Sequence, residues 1–411
     1  MNLLHFFRSI QTVAVRDNSH AVYQTIADEI ASRTGNDVTL IEASEDPERN
    51  ALVLSCVPDV SIPTETCGLR IGANTVGKME ATQLHLLFST ICYLFDYCSD
   101  VDLEQINAGN HDVTTPFAWN RPSYDSMLTQ LQRTARGFDW KNQIRAYATA
   151  GFSHIEVNAL STGMGVEPGV PGEVYPVFYT YCPALDQYSS SHLNRGCYPE
   201  EYLSANMALL KRYVAEAGKY GMKPGMLCFE PRNAPDVLLQ RYPMLRGARV
   251  DHPFRSFKPR YSLAVSHPHV RHHYRELLLN IMREVPEMEY LSVTTNDSGA
   301  GFEFTRSLSV GSNGGPYLVR EWKSVDEVAK VAAKNAVSYY ELLRDVGSEV
   351  NPDFRVIMRL EPFGIERPHI LDSMGDRIDI EGSSFEHTGY GFSYHHDRYD
   401  GRRAGDLSRP A

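Results

Sequence analysis

Between residues 139 and 361 the sequence repeats one unit, an amphipathic helical stretch followed by a short, almost wholly apolar strand. "DWKNQIRAYATAG" leads into "HIEVNAL", and "YPEEYLSANMALLKRYVAEAGKYG" leads into "KPGMLCFEP". "SHPHVRHHYRELLLNIMREV" precedes "YLSVTTND", and "SVDEVAKVAAKNAVSYYELLRDVG" precedes "RVIMRLEPF". Strands that are apolar on both faces need cover on both, so the rhythm specifies a parallel sheet clothed by helices. Punctuation along the chain agrees: Asp139 caps one helix and Gly151 ends it, Ser266 caps the helix opened by Pro268, and Ser324 with Glu327 forms a capping box.

An open doubly wound sheet would carry a Gly-rich phosphate signature after its first strand. The sequence has no G-x-G-x-x-G in that place and no GK[ST]; "GSNGGPY" (311–317) follows a loop, lacks the lysine and reads as a flexible turn. The expected fold is therefore α/β with a (β/α)8 TIM-type barrel over residues 127–411. Counting "LTQLQRTARGF" as the first strand and "RIDIEGSSF" as the last gives about six strands. Either two strands are irregular, or the barrel is incomplete at the C-terminus of this chain.

Residues 1–105 form a separate small α/β domain, and 106–126 a linker. In the small domain "TVAV", "DVTLIEA", "NALVLSC" and "CGLRIGA" read as strands. One helix places Val22, Ile26 and Ile30 at helical spacing, with Ser19 as its cap and Gly35 past its end. A second helix is expected over "KMEATQLHLLFSTICYLFDYC".

In a barrel the active site lies at the C-terminal ends of the strands. Those ends read Glu156 and Asn158, then Glu230 with Arg232 and Asn233, then Asn296 and Asp297, then Arg359 and Glu361. Asp, Asn and Gly often end strands for conformational reasons alone, which accounts for Asp297-Ser298-Gly299. Turn chemistry does not account for Glu230 and Glu361, each of which precedes a proline. Carboxylates converging on one pocket suit glycoside hydrolysis, in which one protonates the leaving oxygen and another attacks or activates water. Asn and Arg would bind sugar hydroxyls or a uronate carboxylate. The aromatics Trp119, Tyr179, Tyr181, Trp322, Tyr390 and Tyr394 offer stacking faces, although 23 tyrosines make some clustering inevitable.

Other chemistries are weaker. His267, His269, His272 and His273 fall at a helix start and suit capping or solvation. His395 and His396 lie in a C-terminal segment that could reach a pocket, which leaves a metal-dependent hydrolase as an alternative. Cys182, Cys197 and Cys228 lack an assigned base. With 51 acidic and 40 basic residues the net charge is −11, and no Lys/Arg-rich stretch suggests nucleic acid or an anionic membrane. Seven cysteines without a CxxC pair argue against a disulfide framework, and no window approaches a membrane span, so a cytoplasmic protein is expected.

The small α/β domain followed by "RTARGFDWKNQIRAYATAGFSHIEVNAL" resembles glycoside hydrolases of families 20 (β-N-acetylhexosaminidases) and 67 (α-glucuronidases). The similarity of layout covers roughly residues 12–370. "VTTNDSGAGFEFTRSLSVGSNGGPYLVREW" is similar to stretches in uncharacterised bacterial relatives of these enzymes. The resemblance implies a hexosaminidase-like N-terminal domain, a catalytic barrel and a carbohydrate substrate. Family 20 ends its fourth strand in an Asp-Glu pair; here Asn296-Asp297 stands in that place, with Ser298 next. Family 67 spreads its carboxylates over several strand ends.

The expectation is an O-glycosyl hydrolase acting on a uronic acid or an N-acetylhexosamine. Asp297, Glu230 and Glu361 form its acid/base set, and Asn158, Arg232, Asn296 and Arg359 bind substrate with Glu156 and Glu303 in reserve. No cofactor or metal is expected. The alternative from another class is a non-catalytic carbohydrate-binding protein on a truncated barrel. The oligomeric state is open.

Overall fold

The computed structural model describes residues 1–58, 65–122, 139–159, 184–250, 259–295, 301–307, 311–312, 324–360 and 362–381. The chain divides into two compact units. One comprises Met1–Pro122, Asp139–Ile155 and Arg212–Pro224; the other comprises Ser123–Phe138, Glu156–Lys211 and Gly225–Ala411.

The first unit is built on a six-stranded sheet. Its strands are β1 (Thr12–Val15), β2 (Thr39–Glu42), β3 (Ala51–Cys56), β4 (Glu65–Ile71), β5 (Val76–Ala81) and β6 (Val113–Thr115), in the order β2-β1-β3-β5-β4-β6. β4 runs antiparallel to both β5 and β6, and the remaining pairs are parallel. The helix Ala21–Thr34 buries Val22, Ile26 and Ile30, as their spacing requires, and ends at Gly35, whose φ of 76° is the left-handed conformation glycine adopts freely. Its N-terminus differs from expectation. His20 occupies the cap position without a side-chain bond, while Ser19 is tied to Asp17 by bonds of 3.0 and 2.9 Å. The second helix also starts later than expected, at Leu84, because Lys78–Ala81 belongs to β5. Gly77, Met79 and Ala81 are buried there and Lys78 and Glu80 exposed, the period-two pattern of a half-covered strand. The helix Trp140–Thr149, capped by Asp139, also belongs to this unit, where Arg145 pairs with both oxygens of Glu29 at 2.7 Å.

The chain then enters a second sheet. It comprises β7 (His154–Glu156), β8 (Lys223–Phe229), β11 (Tyr290–Thr294), β14 (Arg355–Arg359) and β15 (Ile378–Glu381), in the order β15-β14-β11-β8-β7. A separate two-stranded ribbon of β9 (Arg246–Arg249) and β10 (Tyr261–Leu263) lies between β8 and β11 in the chain, and two-residue strands β12 (Arg306–Ser307) and β13 (Gly311–Ser312) follow β11. β8, β11, β14 and β15 pair in parallel, in an order that follows the chain without reversing. Among the described residues the sheet has five strands and is not closed, so the structure is mixed α/β with a parallel sheet. The expected first strand, residues 128–138, lies outside the described residues.

The strands are buried on both faces, as their apolar sequences require: β11 is buried throughout, and β8 throughout after Lys223. Gly225 sits opposite Tyr290, and a Cβ there would lie 2.2 Å from that ring, so glycine is required by contact rather than by conformation. The helices Pro268–Glu284 and Val325–Ser348 supply an aromatic core beneath the strand ends. Tyr274 meets Tyr339 edge-on at 4.9 Å, and the fully buried Phe302 contacts Tyr339, Tyr340 and Phe363 at 5.6–6.1 Å. The capping box of Ser324 and Glu327 forms as expected. Ser266 does not cap its helix; His267 does, accepting from the main-chain N–H of His269, while Ser266 donates from Oγ to Glu303 at 2.7 Å. No helix among the described residues is long and apolar enough to cross a membrane.

Candidate active site

Parallel pairing brings the C-terminal ends of the strands to one edge of the sheet, Phe229 opposite Thr294 and Arg359 opposite Glu381. Glu230 follows β8 directly, and its main-chain N–H donates to the carbonyl of Thr294 at 3.0 Å. The residue is only 3 % exposed. Its Oε1 accepts from the main-chain N–H of Leu185 at 3.0 Å. Its Oε2 accepts from the N–H of Arg232 and the hydroxyl of Tyr274, both at 3.3 Å.

The second carboxylate of this pocket is Asp186. It stands in a single helical turn, Leu185–Gln187, and its Oδ2 accepts from the hydroxyl of Tyr198 at 2.8 Å. Part of Asp186 is exposed, but its Oδ1 is buried and reaches nothing beyond its own main chain among the described residues. Asp186 and Glu230 line one pocket with Arg232, Asn233, His273 and Tyr274. Between these groups there is room for about a single water molecule.

Burial pushes Glu230 well above the usual carboxylate range, and the negative charge of Asp186 pushes it further. Burial likewise raises Asp186. The two cannot both ionise cheaply, so the pocket retains a proton that isolated carboxylates would have lost. Burial also lowers Arg232 to about 10 and His273 to about 3, so His273 is neutral and Arg232 remains a cation at ordinary pH.

This proton has a consequence for stability. Above the ordinary value of 4.5, the unfolded chain releases a proton from Glu230 that the native state holds until its raised value is reached. Stability therefore falls as pH rises through that window. Thermal melts from pH 4.5 upward should show wild type losing stability relative to Glu230→Gln, by up to about 1.4 kcal/mol per pH unit. Parallel curves for the two proteins would mean that Glu230 titrates normally.

Of the other sequence-derived positions, Asn158 is buried with both ends of its amide engaged by the main chain of Leu227, at 2.8 Å each, so it straps the end of β7 to β8. Glu156 is fully buried. Arg359 is 3 % exposed, with its Nε 3.7 Å from Glu381. Glu303 is 1 % exposed and receives both the N–H and the hydroxyl of Ser266. Trp119, in the first unit, is stacked on His154 at 3.7 Å. Asn296, Asp297, Glu361, Tyr179, Tyr181, Trp322, Tyr390, Tyr394, His395 and His396 lie outside the described residues. Asp186 escaped the sequence reading because it follows no strand. The available signal was a single carboxylate in "ALDQYSSSHLN", a stretch otherwise of small polar and apolar residues.

No family model and no curated protein sequence matches this chain. Solved structures similar to it include glycoside hydrolases. One is a family 89 enzyme from Clostridium perfringens in complex with PUGNAc, at TM-score 0.47 and 10 % identity, covering 80 % of this chain and 37 % of that one. Another is a family 138 enzyme targeting pectin rhamnogalacturonan II, at TM-score 0.48 and 8 % identity, covering 90 % and 47 %. The family 20 chitobiase of Flavobacterium johnsoniae gives TM-score 0.48 and 12 % identity, covering 91 % and 52 %. The chain thus spans about a third to a half of the length of these enzymes. With TM-scores below 0.5 the likeness assigns no activity; the α-glucuronidase resemblance rests on the sequence alone.

Proposed function

We propose that this chain carries the catalytic centre of a glycoside hydrolase, with Glu230 as its general acid. The observation that carries the reading is a buried carboxyl group lining one pocket with a second carboxylate at the C-terminal end of a parallel sheet, a setting in which burial and the neighbouring charge raise its pKa. A glycosidic oxygen needs a proton at neutral pH, and a second carboxylate must attack or activate water. Asp186 is available for that role within the same pocket, and Asp297 and Glu361 follow the neighbouring strands in sequence. Arg232 and Arg359 supply buried cations for a uronate or for sugar hydroxyls, with Asn296 beside them in the sequence-derived set. Glu156 and Glu303 stay in reserve. The proposed scaffold is a (β/α)8-type barrel with a hexosaminidase-like domain before it, which the chain-order succession of strands favours over a doubly wound sheet. The proposed substrate is an N-acetylhexosaminide or a uronide.

A second reading follows from the size of the pocket. With room for about one water, Asp186 and Glu230 could instead be a buried polar lock in a protein that binds carbohydrate without cleaving it. Turnover of a panel of p-nitrophenyl glycosides, including glucuronides and N-acetylhexosaminides, separates the two, with calorimetric titration of the free sugars alongside. Hydrolysis of one member, reduced in Asp297→Asn, is the expected result, and turnover unchanged by that substitution would remove Asp297 from the chemistry. Binding without hydrolysis across the panel would replace the hydrolase by the second reading.

A further inference from the structure

We infer that His192, His272 and Glu276 form a site for a divalent transition-metal ion of the Zn²⁺ class, which staples the loop carrying Asp186 to the helix carrying Tyr274. One donor atom from each of the three residues lies within 4.8 Å of the other two. His272 and Glu276 are four residues apart on the helix Pro268–Glu284 and so share one face. His192 comes from the loop after Leu185–Gln187.

The donors are held in place and only partly satisfied, since His192 Nδ1 and Glu276 Oε2 bond each other while one further atom of each residue is left over. Glu276 Oε2 accepts from the main-chain N–H of His192 at 3.0 Å and bonds its Nδ1, which fixes the carboxylate. Its other oxygen, Oε1, faces His272 Nε2 at 3.8 Å, too far for a hydrogen bond. Tetrahedral ligands about 2.0–2.2 Å from Zn²⁺ stand about 3.3–3.6 Å from one another, so this pair is within a few tenths of an ångström of ligand spacing. The ring of His272 is exposed and can make up the difference by turning. His192 Nε2 is buried with no hydrogen-bonding partner among the described residues.

The loop is also organised independently of these three. Ser191 N–H donates to Asn194 Oδ1 at 2.6 Å, Ser191 Oγ and His273 Nδ1 share a hydrogen at 2.5 Å, and Asn280 Nδ2 reaches the carbonyl of Ser190 at 3.2 Å. His192 is thereby presented to the helix from a fixed base. Two imidazoles and one carboxylate suit Zn²⁺ or Co²⁺, whereas Ca²⁺ and Mg²⁺ take oxygen ligands. Three protein ligands leave a fourth position to water.

The ion closes a bridge between two segments of one pocket. The loop brings Asp186, and the helix brings Tyr274, which donates to Glu230. A bound ion stabilises the folded state by an amount that grows with the logarithm of its free concentration over its Kd, since the unfolded chain has no such arrangement.

The test uses the full chain, stripped with a chelator and dialysed, then titrated with Zn²⁺ by calorimetry and with Co²⁺ by visible absorption. Wild type should take up an ion at this site, show a tetrahedral Co²⁺ spectrum and melt at a higher temperature with Zn²⁺. His272→Ala removes an exposed ring, so the fold should be retained; it should weaken binding more than about tenfold, given that even outer-shell partners are worth 10–100-fold, and abolish the thermal shift. Glu276→Gln should do the same, and His20→Ala, at an exposed histidine of the first unit, should change nothing. No uptake by wild type would overturn the site, and so would uptake that His272→Ala leaves unchanged. Glycosidase activity enters none of these readouts.

Discussion

Glu230→Gln is expected to lower turnover of a glycoside with a poorly acidic leaving alcohol by roughly two to four orders of magnitude, the usual worth of a positioned general acid. Gln preserves the shape, its oxygen can still accept from Leu185, and Tyr274 can reverse its hydroxyl to accept from the new amide; the one bond lost is the long 3.3 Å contact from the Arg232 N–H, which an amide nitrogen cannot accept. The loss would therefore be that of the proton rather than of the pocket. A p-nitrophenyl glycoside, whose leaving group needs little protonation, should be affected far less. That contrast separates an acid from a structural carboxyl, since a structural defect would slow both substrates alike. Asp186→Asn should also lose most of the rate if Asp186 is the second carboxylate, and the activity that remains carries a companion expectation. Removing its charge removes the second cause of the raised Glu230 value, so the alkaline limb of the rate profile should move to lower pH. If Glu230→Gln hydrolyses the poor substrate at the wild-type rate, Glu230 is not the acid.

Phe302→Ala should be among the damaging core changes in the second unit, costing about 3–5 kcal/mol. The ring is fully buried against Tyr339, Tyr340 and Phe363, and its loss leaves a cavity that three large rings cannot easily refill. For a unit of this size the cost corresponds to a fall of roughly 6–20 °C in melting temperature. Val325→Ala, at a position 69 % exposed, should stay within about 0.5 kcal/mol of wild type and serves as the control. Because Tyr339 supports Tyr274, the same change should loosen the hydroxyl on Glu230. A melting temperature within a degree or two of wild type would show that the core closes over the gap.

The parts of the fold that were legible in the sequence are those governed by local periodicity. Continuous apolar strands such as "GMLCF" and "YLSV" could only be covered on both faces, and the capping box at Ser324 was written in two residues. Readings failed where two local signals competed. Lys78–Ala81 runs directly into a long apolar helix, and that helix hid a four-residue alternation that the sheet in fact uses. At residue 19 the hydroxyl could serve either the helix or Asp17, and nothing local decides between them. Glu230 was legible because a glutamate before a proline at the end of an apolar strand has no turn-forming reason to be there. Asp186 was not, because its importance comes from burial beside a carboxylate 44 residues away, which no pattern within the loop records.

The order of the second sheet also bears on how the protein is made. β8, β11, β14 and β15 each pair with the preceding strand of the same sheet, so the sheet can be laid down in the order of synthesis. Each new strand needs only the intervening helix to return it to a waiting edge, and no earlier pairing must open to admit it. At every stage of translation a single parallel edge stands open at the growing side. Among the described strands, the exposure that invites misassembly on the growing side is thus that of the newest strand alone, passed along the chain as it emerges, while β7 remains the opposite edge.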